Sequence, residues 1–175
     1  MLVKGMIIIF KKIFNKQEIV LKTIELKAHV SGNIVKLEDV PDPVFAEKMM
    51  GDGIAIDPTE GEIVSPVDGE VVQVFPTKHA IGIKADNGAE ILIHIGLETV
   101  SMGGEGFTTK VTTGEKIKAG DVLVNFDLDL VKKRAKSAIT PIIITNTVAM
   151  ESVEKPILTG LIVAGDSTIL TVTAK

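Results

Sequence analysis

Three side chains in one short stretch, Phe75 to Val100, are of the types that phosphorus or metal chemistry uses: Thr77, His79 and His94. Two of the protein's three histidines lie here, fifteen residues apart. An imidazole nitrogen attacks phosphorus when its other ring nitrogen is held by a hydrogen bond that fixes the tautomer. A second imidazole and a hydroxyl can then donate to the equatorial oxygens of the phosphoryl group, where charge must be stabilised. His94 as nucleophile, with His79 and Thr77 as donors, meets that need. The competing chemistry is zinc-dependent hydrolysis with both imidazoles as ligands; it needs a third protein ligand, for which Glu98 is the candidate. No glycine loop of the nucleotide-binding kind is present, which argues against a donor such as ATP held in a P-loop. His29, at a turn, reads as a surface residue with no link to the pair.

The element that must bring the imidazoles together is a hairpin. Asp86-Asn87-Gly88-Ala89 separates two apolar, β-prone runs, and Asn-Gly is the strongest short-range signal for a two-residue type I′ turn. With Asn87 and Gly88 as the loop, Ile83 faces Leu92, Ile81 faces His94 and His79 faces Gly96. Side-chain alternation then puts Thr77, His79, Ile81 and Ile83 on one face with Leu92 and His94, and Ile91, Ile93 and Ile95 on the other. The imidazoles become diagonal neighbours, roughly 7 Å apart at the backbone. A slip of one residue would separate them, so the inference rests on the turn.

Around this hairpin the pattern is strands and turns. Val30 to Leu37, Gly53 to Ile56, Glu62 to Val64, Glu70 to Phe75, Val122 to Phe126, Ile142 to Thr145 and Ile169 to Val172 are short β-rich segments. Their turn signals recur every eight to twelve residues, as in a sandwich or barrel. His29-Val-Ser-Gly-Asn-Ile-Val35 and Pro66-Val-Asp-Gly-Glu-Val-Val72 are imperfect copies, and Gly-Asp turns precede apolar strands at 51–52, 120–121 and 165–166. The expected fold is all-β, an antiparallel sandwich with an internally duplicated motif and two short helices, at Asp42 to Lys48 and Leu128 to Ser137.

Composition narrows the function classes. At 175 residues the chain has the length of one domain; it contains six Phe but no Trp, Tyr or Cys. The scarcity of aromatics disfavours sugar-stacking platforms and single-stranded nucleic-acid binding. Without cysteine there is no disulfide framework, thiol nucleophile or thiolate metal site, and the cytoplasm is the default compartment. The first sixteen residues hold four lysines and no acid, leaving 15 basic against 23 acidic residues in the remainder, a poor partner for nucleic acid. On a helical wheel those sixteen residues are basic and amphipathic, fit to lie peripherally on an anionic membrane at the cytoplasmic face. The division expected is an N-terminal segment, 1–18, followed by a single domain, 19–175.

VSGNIVKLEDVPDPVFAEKMMGDGIAIDP (30–58), SPVDGEVVQVFPTKHAIGI (65–83), GAEILIHIGLETVSMGGEGF (88–107) and GDVLVNFDLDLVKKRAKSAITPIIITN (120–146) closely resemble the glucose-class enzyme IIA of the bacterial phosphoenolpyruvate-dependent sugar phosphotransferase system. The resemblance covers nearly everything after residue 20. It implies a compact antiparallel β-sandwich that acts as a phosphoryl carrier, with no cofactor and no metal site. The histidine of the I-H-[IF]-G motif, His94 here, would take a phosphoryl group from the carrier HPr as a tele-phosphohistidine. It would pass the group to the IIB domain of a sugar permease. The histidine of the T-x-H-A motif, His79, and the preceding Thr77 would support the phosphoryl group.

The same resemblance implies that partners dock on an apolar rim around the histidines. The matching positions are Val44, Phe45, Phe75, Ile81, Leu92 and Val100, with Asp42 and Glu98 at the edge to meet a basic surface of HPr. Some members carry a basic amphipathic N-terminal helix that touches the membrane, and residues 1–16 are similar in kind. Others are domains fused to the permease.

Overall fold

The computed structural model describes residues 21–175, so the N-terminal segment and its expected membrane contact lie outside the described residues. Among the described residues every strand pairing is antiparallel. The largest sheet has eight strands, in the spatial order Leu161–Ile162, Gly32–Lys36, Asp52–Pro58, Thr140–Ile144, Glu90–His94, Ala80–Ala85, Gly69–Val74 and Lys116–Ile117. Among the described residues two three-stranded sheets accompany it: Thr23–Lys27, Thr168–Ala174 and Met150–Glu154 form one, and Glu62–Val64, Val122–Phe126 and Phe107–Thr109 the other. The expected all-β architecture is therefore present. Both copies of the repeat open a strand at their glycine, Gly32 and Gly69, and each strand pairs with the next one in the chain. The two expected helices are Pro43–Ala46 and Leu128–Arg134, capped by the side chains of Asp42 and Asp127.

The period-two alternation of the large sheet sorts its side chains into two clusters. Ile54, Ile56, Ile81, Ile83, Ile91, Ile93, Ile142 and Ile144 point into the main core with the two smaller sheets. Ala55, Ala80, Leu92 and Ile143 point the other way, into a smaller cluster closed by Leu37, Val40, Phe45 and Leu97. The segment 37–46, a single turn of 3-10 helix followed by the Pro43–Ala46 helix, supplies three of those four lids. Full burial of Phe45-sized apolar surface stabilises by roughly 1.5–3 kcal/mol, so this second cluster holds the segment on the sheet.

The hairpin differs from expectation by one residue. The observed pairs are Ala80 with His94, Ile81 with Ile93, Gly82 with Leu92 and Ile83 with Ile91. A type I′ turn requires positive φ at both loop residues, and here Gly88 alone has it, at 89°. The Gly88 N–H donates to the Ala85 carbonyl at 3.0 Å and the Ala85 N–H to the Ala89 carbonyl at 2.9 Å, closing a three-residue loop, Asp86 to Gly88. Asn87 is occupied elsewhere: its amide nitrogen donates to the carbonyls of Lys22 and Val172, each at 3.2 Å. Ile81 and Ile83 consequently face the main core, opposite to the face that carries His94 and Leu92.

Candidate functional site

His94 is the last residue of its strand and stands on the face of the smaller cluster. The corrected register alone would send His79 to the opposite face. It does not, because the chain between Val74 and Ala80 is a turn rather than strand. Lys78 sits at φ 60°, its N–H donating to the Phe75 carbonyl at 2.8 Å, and this left-handed residue interrupts the alternation immediately before His79. The two rings meet edge to face with centroids 4.9 Å apart. Phe45 abuts His94 at 5.3 Å and Phe75 abuts His79 at 5.6 Å, so the four rings form a row.

Each imidazole is held through Nδ1. His94 Nδ1 lies 2.7 Å from the Gly96 carbonyl oxygen, which can only accept; Nδ1 therefore carries the proton and Nε2 presents a lone pair. His79 Nδ1 lies 2.6 Å from Thr77 Oγ1. Burial pushes both rings away from the charged form. His79 is lowered to about 4, by desolvation first and the neighbouring His94 second. His94 is also lowered from 6.5 by desolvation, against the opposing pull of the Gly96 carbonyl and the Asp42 carboxylate. Both imidazoles are neutral near pH 7, the state in which a ring nitrogen can act as a nucleophile.

Gly96 has φ 68°, and a β-carbon there would lie 2.7 Å from Thr99 Cγ2 and 2.9 Å from the Ser137 carbonyl oxygen. Only glycine fits the corner that turns this carbonyl toward His94.

A model of the phosphoenolpyruvate-dependent sugar phosphotransferase system, EIIA 1 family matches residues 24–150. The chain belongs to this family. The glucose-specific EIIA component of the phosphotransferase system from Bacillus cereus is 61% identical over 147 residues, covering 83% of this chain and 87% of the relative. The Staphylococcus aureus protein of the same name is 59% identical over 138 residues, covering 79% and 83%. Among solved structures, glucose permease IIA from Mycoplasma capricolum superposes with a TM-score of 0.77 at 40% identity, covering 86% of this chain and 96% of that one. The EIIA family β-sandwich is thus the fold seen here.

The other positions singled out in this EIIA chain separate into three groups. Val44 and Val100 are exposed, at 38% and 58%, Glu98 is exposed, and Asp42 and Phe75 are half-buried. Phe45 and Leu92 are buried, at 4% and 8%, and form the floor beneath the imidazoles rather than a rim. Ile81 is fully buried in the main core, which removes it from any surface; its placement near the site followed from the two-residue turn.

Among the described residues no three or more His, Cys, Asp or Glu side chains come together as a metal site, so Glu98 does not supply the third ligand that zinc hydrolysis requires. His29, expected at the surface, is fully buried. Its Nε2–H donates to the Thr140 carbonyl at 2.9 Å, and its Nδ1 has no partner among the described residues. Gly96 was legible as part of the I-H-I-G motif, but nothing in the pattern pointed to Thr140 beside it. Among the described residues no helix is long and apolar enough to cross a membrane.

Proposed function

We propose that this chain is a phosphoryl carrier for a glucose-type permease, accepting the group from phospho-HPr on His94 and passing it to a IIB domain. The observation that carries the reading is the bond from His94 Nδ1–H to the Gly96 carbonyl, which leaves Nε2 as the nucleophile beside a second imidazole. In the acceptance step the Nε2 lone pair forms a bond to phosphorus, the P–N bond to the donor histidine breaks, and that electron pair leaves with the donor imidazole. The His94 proton stays on Nδ1, so the product is the tele-phosphohistidine. Transfer onward reverses the roles.

Thr77 and His79 stabilise the phosphoryl oxygens. With the Thr77 hydroxyl donating to His79 Nδ1, the other nitrogen carries a proton and can donate to an oxygen of the group on His94. A neutral donor pair of this kind adds no charge that would hold the phosphoryl group too tightly for onward transfer. Val44, Val100 and Phe75 supply apolar surface around the rings for both partners, and the exposed Glu98 and half-buried Asp42 supply negative charge for a basic partner. Docking at such a patch brings donor and acceptor nitrogens in line without a bound cofactor.

The test is incubation of the full chain with phosphoenolpyruvate, enzyme I and HPr, followed by location of the label. Acid-labile, base-stable phosphate on Nε2 of His94 is expected. Label on another residue, or none, overturns the proposal.

A further inference from the structure

Strand 90–94 stops at His94, yet the chain beyond it remains clamped. Three contacts hold the peptides on either side of Gly96. The Thr99 hydroxyl donates to the Ile95 carbonyl at 2.6 Å, the Gly96 N–H donates to Thr140 Oγ1 at 3.3 Å, and the Leu97 N–H donates to the Ser137 carbonyl at 2.8 Å. Thr140 is fully buried. Its own hydroxyl proton goes to the Ala138 carbonyl at 2.9 Å, so its oxygen is left to accept from Gly96. From the interior, His29 Nε2–H donates to the Thr140 carbonyl, tying the main chain of that residue down.

A continuous series of bonds thus runs from His29 through Thr140 and Gly96 to the ring of His94. Thr140 replaces, with a side chain, the ladder bond that strand 140–144 no longer makes once its partner has ended. The replacement matters because Gly96 is the residue least able to hold its own conformation: without a β-carbon it resists rotation little, and its carbonyl orientation comes from its neighbours.

We infer that Thr140 is a positioning residue for the phosphoryl acceptor: by accepting from the Gly96 N–H it pins the Ile95–Gly96 peptide while the Leu97 N–H bond to Ser137 pins the next one, and together they keep the Gly96 carbonyl aimed at His94 Nδ1 and fix which nitrogen is free to react. The inference rests on His94 being the acceptor. Orientation of a reacting ring through an outer partner is a general device: the partner sets both tautomer and direction of the lone pair.

The experiment compares the wild-type full chain with Thr140→Val and Thr140→Ser. Nitrogen-15 shifts of the imidazoles are read in the unphosphorylated protein, and kcat and KM are measured for acceptance from phospho-HPr. Wild type should show His94 as a single Nδ1–H tautomer. The valine variant keeps the volume but offers no acceptor, so its His94 shifts should move toward a mixture of tautomers. Its kcat should fall on the order of tenfold with KM unchanged, since Thr140 lies beneath the docking surface.

Serine, which restores the hydroxyl, should restore both readouts. Stability does not discriminate, because an unpaired buried N–H costs free energy whatever the role of Thr140. Should Thr140→Val not fold, Thr140→Cys, a weak acceptor of similar size, is read in the same way. A wild-type tautomer and wild-type kcat in the folded variant overturn the inference. If instead the wild-type chain takes no label on His94, the carrier reading falls, while the tautomer measurement still decides whether Thr140 fixes the ring.

Discussion

The buried interior at His29 and the surface at His94 hold the same group in the same way. In each, one ring nitrogen donates to a main-chain carbonyl, Thr140 for one and Gly96 for the other, and the second nitrogen has no hydrogen-bond partner among the described residues. In each, desolvation pushes the imidazole toward the neutral form. The difference is access. The bare nitrogen of His29 is sealed in at 0% exposure and can meet no reactant, whereas His94 is half-buried beside a second imidazole. Neutrality and a fixed tautomer make an imidazole ready, and the surroundings decide whether it reacts.

The sharpest way to break the comparison is to delete each ring. His94→Ala should remove all phosphohistidine from the chain, while His29→Gln, which reaches His94 only through the Thr140 main chain and can still donate to that carbonyl, should leave His94 the labelled residue; label persisting on the His94→Ala variant would overturn the distinction. Replacing the helper is the next largest effect: His79→Gln should still accept from phospho-HPr but pass the group on slowly, and onward transfer at the wild-type rate would remove its supporting role.

Gly96→Ala attacks the carbonyl on the surface side. With φ at 68° and a β-carbon forced to 2.7 Å from Thr99, it should cost on the order of 3 kcal/mol in urea unfolding and slow acceptance as well. A stability loss without slower acceptance would show that the carbonyl does not govern the ring.

Acid separates the two histidines by a different readout. His29 is lowered from 6.5 to about 4, chiefly by desolvation, so the unfolded chain takes up the proton at higher pH than the folded one. Its contribution to stability is complete above pH 6.5 and is lost as the pH falls toward 4, about 3 kcal/mol in all, each pH unit being worth about 1.4 kcal/mol. Urea melts across that window should show the loss in wild type and a correspondingly flatter profile in His29→Gln. For His94 the readout is rate: the acid decline of acceptance should be centred below the ordinary histidine value of 6.5, because burial lowers its pKa. The smallest effect belongs to Asp42. Its carboxylate raises the pKa of His94, so Asp42→Asn should lower it further in an NMR titration, while the asparagine keeps the cap on Val44 N–H.

Much of the fold was legible because it is written in local chemistry. Runs of Ile and Val with Gly-Asp turns before them became strands at Asp52–Pro58, Val122–Phe126 and Thr168–Ala174, and Asp42-Pro43 opened a short helix as capping rules require. His79 and His94 were found together, but by an argument whose middle step was wrong. The two-residue turn assigned to Asn87-Gly88 put Ile81 on the site face, and the actual register puts it in the core. The imidazoles nevertheless meet because the left-handed Lys78 resets the alternation, a compensation no periodicity reveals. His29 was misplaced for a related reason: a histidine at a turn reads as exposed unless one knows that strand 140–144 passes close enough for its carbonyl to accept the ring N–H.

What the amino-acid sequence by itself determined is the β architecture and the choice of His79 and His94 as the candidate pair, since alternation, turn residues and imidazoles are properties of a few neighbouring positions. Tertiary structure alone decided the register, the tautomer and which of the apolar side chains near the pair are buried. Asn87 keeps an ordinary φ while its amide is drawn to carbonyls 65 and 85 positions away, and the Gly96 carbonyl points at His94 while Thr140, 44 positions on, accepts from the Gly96 N–H. Bonds of that span cost the unfolded chain conformational freedom and exist only once the sheet has closed, so no local reading contains them.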